Sequence, residues 1–379
     1  MRIEKISLYN LNIPFCRVVK HGLFTRTTTE NIIIVVQDGK GNKGFGEGTP
    51  RDYVTGENLD GCLEAAETLS HEFLGRQFES FGDVTASLSA IDESMGTTNN
   101  PAASCALETA VLDLWSREQR VPLWRLFTPN KLSDALWYSG VVPYFKNESE
   151  LLRFLQLIKK LALRSIKVKI VDPDDGLDQL KLIRRELGPA IDIRVDANAA
   201  LSVEDSIRFI KKAKPITLSA VEQPVCKNDL QGLKEVSRNS DIPIIADESM
   251  YTSAGPFYLI ENDICHGLNI RLSSCGGFRR AFDIFQRAYS KNMTIVLGAH
   301  VGETAILSLA GRNFAAICPE NRYVEGSFSR YVLEDDLVPE NISFGRGGHA
   351  PIPTGSGLGI EIDEASISGW SDLYATIAS

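Results

Sequence analysis

From Leu136 onward, short apolar and β-branched runs recur at a near-constant interval: LWYSGVV, SIKVKI (165–170), IDIRVD (191–196), TLSAVE (217–222), IPIIAD (242–247), GLNIR (267–271), MTIVLG (293–298) and NRYVEG (321–326). Between them, stretches such as NESELLRFLQLIKKLA, LDQLKLIRRELGP and GFRRAFDIFQRAYSK place apolar residues three and four apart, the period of a helix with one buried face. Strands alternating with helices predict a parallel sheet with helical crossovers. Eight of them at one period fit a closed α/β barrel better than an open doubly wound sheet.

Residues 1–130 carry a different pattern. RIEKISLYNLNI and TENIIIVVQDGKGNKGFGEG read as strands of a meander with a glycine-containing turn at DGKG, followed by the helical stretches NLDGCLEAAETLSHEFL and NPAASCALETAVLDLWSREQ. After residue 327 the Gly/Pro-rich FGRGGHAPIPTGSGLG and a short tail are too little for a domain of their own. The expected organisation is a cap at 1–130, a barrel at 131–327 and a segment at 328–379 that packs back on the cap.

Composition narrows the function classes. With 379 residues, 43% hydrophobic and 23% charged, the chain can bury a large core. Its 49 acidic and 40 basic residues give a net charge of −9, without the basic footprint that phosphate backbones require, so nucleic acid is not an expected partner. No apolar run approaches the roughly 20 residues that span a bilayer, and MRIEKISLYNL lacks a signal peptide's continuous apolar stretch. A cytoplasmic protein without membrane contact is expected. The seven cysteines are scattered, with no C-x-x-C pair to suggest zinc or a redox site, and read as reduced and mostly buried.

Candidate chemistry sits at the strand ends. Lys167 and Lys169, Asp196 with Asn198, Glu222, Asp247 with Glu248, and Arg271 close successive runs, with intervals of 27, 26, 25 and 24 residues from Lys169 to Arg271. In phase, they gather at one barrel mouth, where barrel enzymes hold their active sites. Three converging carboxylates, Asp196, Glu222 and Asp247, repel one another unless a cation sits among them. Oxygen ligands without His or Cys favour a hard ion, Mg²⁺ or alternatively Mn²⁺, over zinc. Asn198 and Glu248 are placed to orient these ligands or the lysines. Lys167 and Lys169 leave one strand face about 6.6 Å apart, and each other's charge and partial burial are expected to lower their pKa toward the ~7–8 of a useful base. A divalent ion beside a lysine base suits removal of a proton α to a carboxylate, with the enediolate stabilised as it forms.

In order and spacing, GFGEGTPRDYVTGE, KVK, DAN, VEQP, ADES and the GG after the sixth run resemble the enolase superfamily, within it the mandelate racemase and muconate lactonizing enzyme family and its muconate-lactonizing-enzyme-like subgroup. The resemblance spans nearly the whole chain. It implies a modified (β/α)₇β barrel with an α+β cap, Mg²⁺ on Asp196, Glu222 and Asp247, Lys169 as base, and Lys167 as a cationic contact to the substrate carboxylate. Arg271 departs from the pattern: at its place relatives look to carry a second lysine, or an aspartate that orients a histidine. An arginine stays protonated and is a poor proton acceptor. His300, in GAHVGETA, is the other candidate second-face group. Dipeptide-epimerising relatives carry an acidic pair near the end of the eighth strand; RYVEGSFSR offers Glu325 alone. Glu303 and Glu325 either face the pocket or serve a helix cap and a loop. The loop CRVVKHGLFTRTTTE, with His21 and Phe24, is expected to close over the site, and Arg51 to Thr55 is a second candidate specificity loop.

The expected activity is Mg²⁺-dependent abstraction of the α-proton of a small carboxylate, giving cycloisomerisation, syn elimination or racemisation/epimerisation, by a homo-oligomer. The alternatives are a catalytically impaired metal-dependent binding protein, and a dipeptide or N-acylamino acid epimerase using His300 as second base.

Overall fold

The computed structural model describes residues 1–21, 24–95, 99–318 and 323–378. Among these, eight parallel strands form one sheet: Gly140–Val142, Ser165–Lys169, Asp192–Asp196, Ala220–Glu222, Ile244–Ala246, Gly267–Ile270, Thr294–Leu297 and Tyr323–Val324. The sheet closes on itself, because Tyr138 bridges Val324 in parallel and Ser139 N–H donates to Val324 O at 2.8 Å. An α-helix lies between each strand and the next, giving a (β/α)₇β barrel. Helices such as Val203–Ala213 and Phe278–Ser290 turn Phe209, Ile210, Phe278 and Phe285 inward on the helical period.

Both faces of the strands are covered, which is why they read as near-continuous apolar runs. Ile166, Val168, Ile193 and Val195 are fully buried in the main core, whereas Ala220, Ile245, Val296 and Tyr323 form a separate cluster inside the barrel. Along each strand, the residue two places after an interior residue faces the interior again. This alternation lifts Glu222, Asp247 and Glu325 above that plug, toward the C-terminal mouth.

The first run differs from its sequence reading. LWYSGVV breaks in two: Ala135–Trp137 pairs antiparallel with His349–Pro351 of the C-terminal segment, and only Gly140–Val142 enters the barrel. The break lies at Tyr138–Ser139, where Tyr138 N–H is taken by Gly348 O at 2.7 Å.

The cap is a four-stranded antiparallel sheet in the order Ser371–Ala378, Ile3–Leu11, Asn31–Asp38, Lys43–Gly48, so the chain's last strand lies beside its first. Helix Pro101–Glu118 is buried almost throughout and packs on Lys43–Gly48. Gly44, Gly46 and Gly48 face Ala110, Ala106 and Ala102 across that contact. A separate hairpin, Pro14–His21 with Phe24–Thr28, leans on the C-terminal segment: Glu334 N–H donates to Pro14 O at 3.0 Å and Cys16 Sγ to Leu333 O at 3.0 Å. Five of the seven cysteines are buried, and Cys16 and Cys226 are exposed. Among the described residues no helix is long and apolar enough to cross a membrane.

Candidate active site

The register of the parallel strands sets the site. Lys169 lies opposite Asp196, and Asp196 opposite Glu222, on three adjacent strands. Asp247 follows the next strand and Arg271 the one after it. Lys169 ends the second strand and Arg271 follows the sixth, so they stand on opposite sides of the eight-stranded ring.

The two lysines have different surroundings. Lys169 is 22% exposed, and its Nζ donates to Asn198 Oδ1 at 2.8 Å and lies 3.5 Å from Asp196 Oδ2. Asn198, in the left-handed region at φ 42°, also donates its backbone N–H to Asp196 Oδ1 at 3.0 Å and its amide Nδ2 to Glu248 Oε1 at 3.2 Å. Lys169, Asn198, Asp196 and Glu248 thus form one network. Lys167 is 4% exposed, donates to Glu222 Oε1 at 2.9 Å and Glu325 Oε2 at 2.7 Å, and lies 3.6 Å from Asp196 Oδ2. Burial alone would lower its pKa, but the charges of Glu222, Glu325 and Asp196 prevail and raise it. This corrects the expectation of a depressed pKa for Lys167: three carboxylates surround it, and their attraction exceeds the repulsion of neighbouring cations.

Arg194, which the sequence reading did not single out, completes this layer. Its Nη2 donates to Glu325 Oε1 at 2.8 Å and its Nη1 to Glu222 Oε2 at 3.4 Å, and the guanidinium lies 4.2 Å from the centre of the Tyr323 ring. The available signal was its place two residues before Asp196, on the same strand face. Both Glu325 oxygens are therefore engaged; burial would raise its pKa, and Lys167 and Arg194 reverse that and hold it at about 2. Asn269, two residues before Arg271, donates to Glu222 Oε1 at 2.9 Å and carried the same signal.

Asp247 Oδ2 accepts from Arg271 Nη2, while Asp247 Oδ1 is buried with no hydrogen-bond partner among the described residues. Burial first, and then the neighbouring acids Glu248 and Glu222, push the Asp247 carboxyl well up; burial also raises Glu222. Among the described residues no group of three His, Cys, Asp or Glu side chains is drawn together tightly enough to hold a metal ion. Asp196, Glu222 and Asp247 line neighbouring strand ends with Lys167, Lys169 and Arg271 drawn in against them. In chemistry the set fits a hard divalent ion, being all-oxygen, buried, and including one carboxylate oxygen with no donor.

On the far side, Arg271 Nη1 lies 3.4 Å from His300 Nδ1, and His300 Nε2 lies 2.7 Å from Ser274 Oγ. A guanidinium only donates, so Nδ1 is the acceptor and Nε2 carries the proton toward Ser274. Glu303 Oε1 accepts the His300 backbone N–H at 2.7 Å, and burial pushes its carboxyl up to about 8. Glu303 and Glu325 line one small cavity with Gly298, Ala299 and Tyr138. Arg51 is fully buried, donating to Pro50 O, Asn31 Oδ1 and Val301 O at 2.8, 2.9 and 3.1 Å. His21 and Phe24 are paired in backbone register across the hairpin, and their side chains lie outside the described residues.

The chain is similar to known proteins in sequence and in fold. A family model described as "Enolase C-terminal domain-like" matches residues 150–366. The L-Ala-D/L-Glu epimerase of Bacillus subtilis is 26% identical over 366 residues, covering 95% of this chain and 97% of that protein. Muconate cycloisomerase 1 of Rhodococcus opacus is 22% identical over 378 residues, covering 98% and 99%. Among solved structures, the dipeptide epimerase from Cytophaga hutchinsonii, complexed with Mg and the dipeptide D-Ala-L-Val, superposes with a TM-score of 0.88 at 25% identity, covering 100% of this chain and 99% of that one.

Proposed function

The chain belongs to the enolase C-terminal domain-like family, and from that premise we propose that it is an Mg²⁺-dependent isomerase or lyase that removes the α-proton of a small carboxylate substrate. Lys169 is the base. The observation that carries this reading is the contrast between the two lysines: Lys167 is sealed among three carboxylates, whereas Lys169 reaches the mouth, positioned by Asn198. Asp196, Glu222 and Asp247 hold Mg²⁺, which when bound neutralises the negative charge that grows on the substrate carboxylate as the α-proton leaves. Lys167 stays protonated, adds to the positive field at that carboxylate, and fixes Glu222. Arg271, across the ring, presents a cation that cannot exchange protons in the working pH range. His300 has Nδ1 turned to Arg271 and Nε2 to Ser274. Proton movement on one face only, as in cycloisomerisation or syn elimination, therefore suits these residues better than a two-base epimerisation.

The test is a screen of acyl amino acids, dipeptides, acid sugars and lactones for turnover and for α-deuterium uptake in D₂O. Lys169→Ala should abolish exchange while Mg²⁺ still binds, and Glu222→Gln should weaken Mg²⁺ binding by about tenfold or more without unfolding the chain. Exchange that persists in Lys169→Ala sinks the base assignment, and stabilisation by ligands without turnover of any compound would favour a binding protein.

A further inference from the structure

Arg271 and the proposed metal ion need the same carboxylate. Asp247 is fully buried and its Oδ2 is taken by Arg271 Nη2, an arrangement that supplies the opposite charge a buried carboxylate requires. The guanidinium cannot be neutralised by losing a proton, so a cation that comes to Asp247, whether to its open Oδ1 or to Oδ2, meets a fixed positive charge that opposes it and is itself pushed away. Its own restraints are light. Among the described residues Arg271 Nε has no hydrogen-bond partner and Nη1 meets the His300 ring at a long 3.4 Å, and the side chain retains 10% exposure. Arg194 shows the contrasting case, with carboxylates at both ends and an aromatic ring against its plane.

We infer that Arg271 is a displaceable counter-ion: it neutralises Asp247 until a divalent cation takes that carboxylate, and the guanidinium then turns to a substrate anion on the face opposite Lys169. Metal loading and the arming of the second face are thereby one event. The inference rests on the metal reading above. It also gives a reason for arginine here, since a charge that must leave one anion and serve another has to survive the move without titrating.

The experiment is calorimetric titration of Mg²⁺ into the wild-type chain, Arg271→Met and Arg271→Lys, with thermal unfolding of each at zero and saturating Mg²⁺. With its competitor removed, Arg271→Met should bind Mg²⁺ tighter, by about tenfold or more, the scale of changes at groups that touch a metal ligand. The same variant should melt lower than wild type without Mg²⁺, because Asp247 is then buried unpaired, and should recover when Mg²⁺ is added. Arg271→Lys, with a point charge in place of the fork, should fall between the two and carries the comparison if Arg271→Met does not fold. Measurable wild-type binding that is unchanged or weakened in both variants overturns the counter-ion role while leaving the metal site standing. Absence of Mg²⁺ binding in every form overturns the metal reading, and this inference with it.

Discussion

Arg194 and Glu325, 131 residues apart in the chain, are joined inside the barrel by a 2.8 Å bond from Nη2 to Oε1, with neither side chain more than 4% exposed. Glu325 takes Lys167 on its other oxygen, so the ion pair sets where Lys167, and through it Glu222, can stand. Removing one member should leave a buried charge undercompensated. Arg194→Met is expected to cost about 3–5 kcal/mol, and the double variant Arg194→Met with Glu325→Met to regain much of that loss. Reversible urea unfolding of the four forms measures the coupling. Purely additive losses would show that the pair does not act as a unit.

Asn198 offers a sharper probe of the proposed chemistry, because it touches Lys169, Asp196 and Glu248 at once. Asn198→Ala keeps the charge of Lys169 but removes the acceptor that aims it. Misplacing a reacting group by about 1 Å can cost roughly 10²-fold in rate. Deuterium exchange with a substrate from the screen should slow on that order while the melting temperature moves little. A rate equal to wild type would show that Lys169 is placed by something else.

The strand-end charges were legible because the chain repeats one strand and one helix at 24–27 residues, and a period that regular fixes which end of each strand faces the mouth. The (β/α)₇β fold followed from the same repeat together with the family resemblance. Arg194 and Asn269 went unread although each lies two residues before a flagged position, because attention to strand ends ignored the layer beneath. The pKa of Lys167 was misjudged for a related reason. Sequence showed its neighbouring lysine, but Glu325 reaches it from the eighth strand, 158 residues away. Arg51 read as a loop residue because loop composition cannot reveal that its acceptors come from both the cap and the barrel.

Two cap carboxylates should make stability depend on pH. Glu47 accepts from Thr304 N and Oγ1 and from Leu307 N at the start of helix Ala305–Ile317, and Glu57 accepts from Ala102 N at the start of Pro101–Glu118. Burial outweighs these donors and raises each to about 7, above the unfolded value near 4.3. Between those values the folded chain binds more protons than the unfolded one. The contribution of each group is therefore fully present below about pH 4 and is lost as pH rises to about 7, by up to about 3 kcal/mol per group as an order of magnitude. Glu47→Gln should lower stability overall, since its amide nitrogen faces donors, but should flatten the decline between about pH 4 and pH 7. An unfolding profile with the wild-type slope would show that Glu47 is ionised throughout.

The cap's glycines make a prediction that needs no assumption about substrate or metal. Gly44, Gly46 and Gly48 alternate onto one face of strand Lys43–Gly48, and Ala110, Ala106 and Ala102 recur every four residues along the facing helix, so backbone meets backbone. A Cβ on Gly46 would fall 1.8 Å from Ala106 O, a main-chain atom in a helix that cannot yield locally. Gly46→Ala must therefore part strand from helix, with a cost at or above the usual 1–3 kcal/mol for overpacking. The strain would reach the mouth as well, because Glu47 caps a barrel helix and Thr49 N–H bonds Ser273 Oγ at 2.8 Å, two residues from Arg271. Gly311 is the control: it lies within helix Ala305–Ile317 with nothing near its would-be Cβ, so Gly311→Ala should be neutral or stabilise by about 0.4–1 kcal/mol. Thermal melts of the two variants should move in opposite directions or leave Gly311→Ala unmoved, and equal losses would mean that the close approach of cap strand and helix does not limit stability.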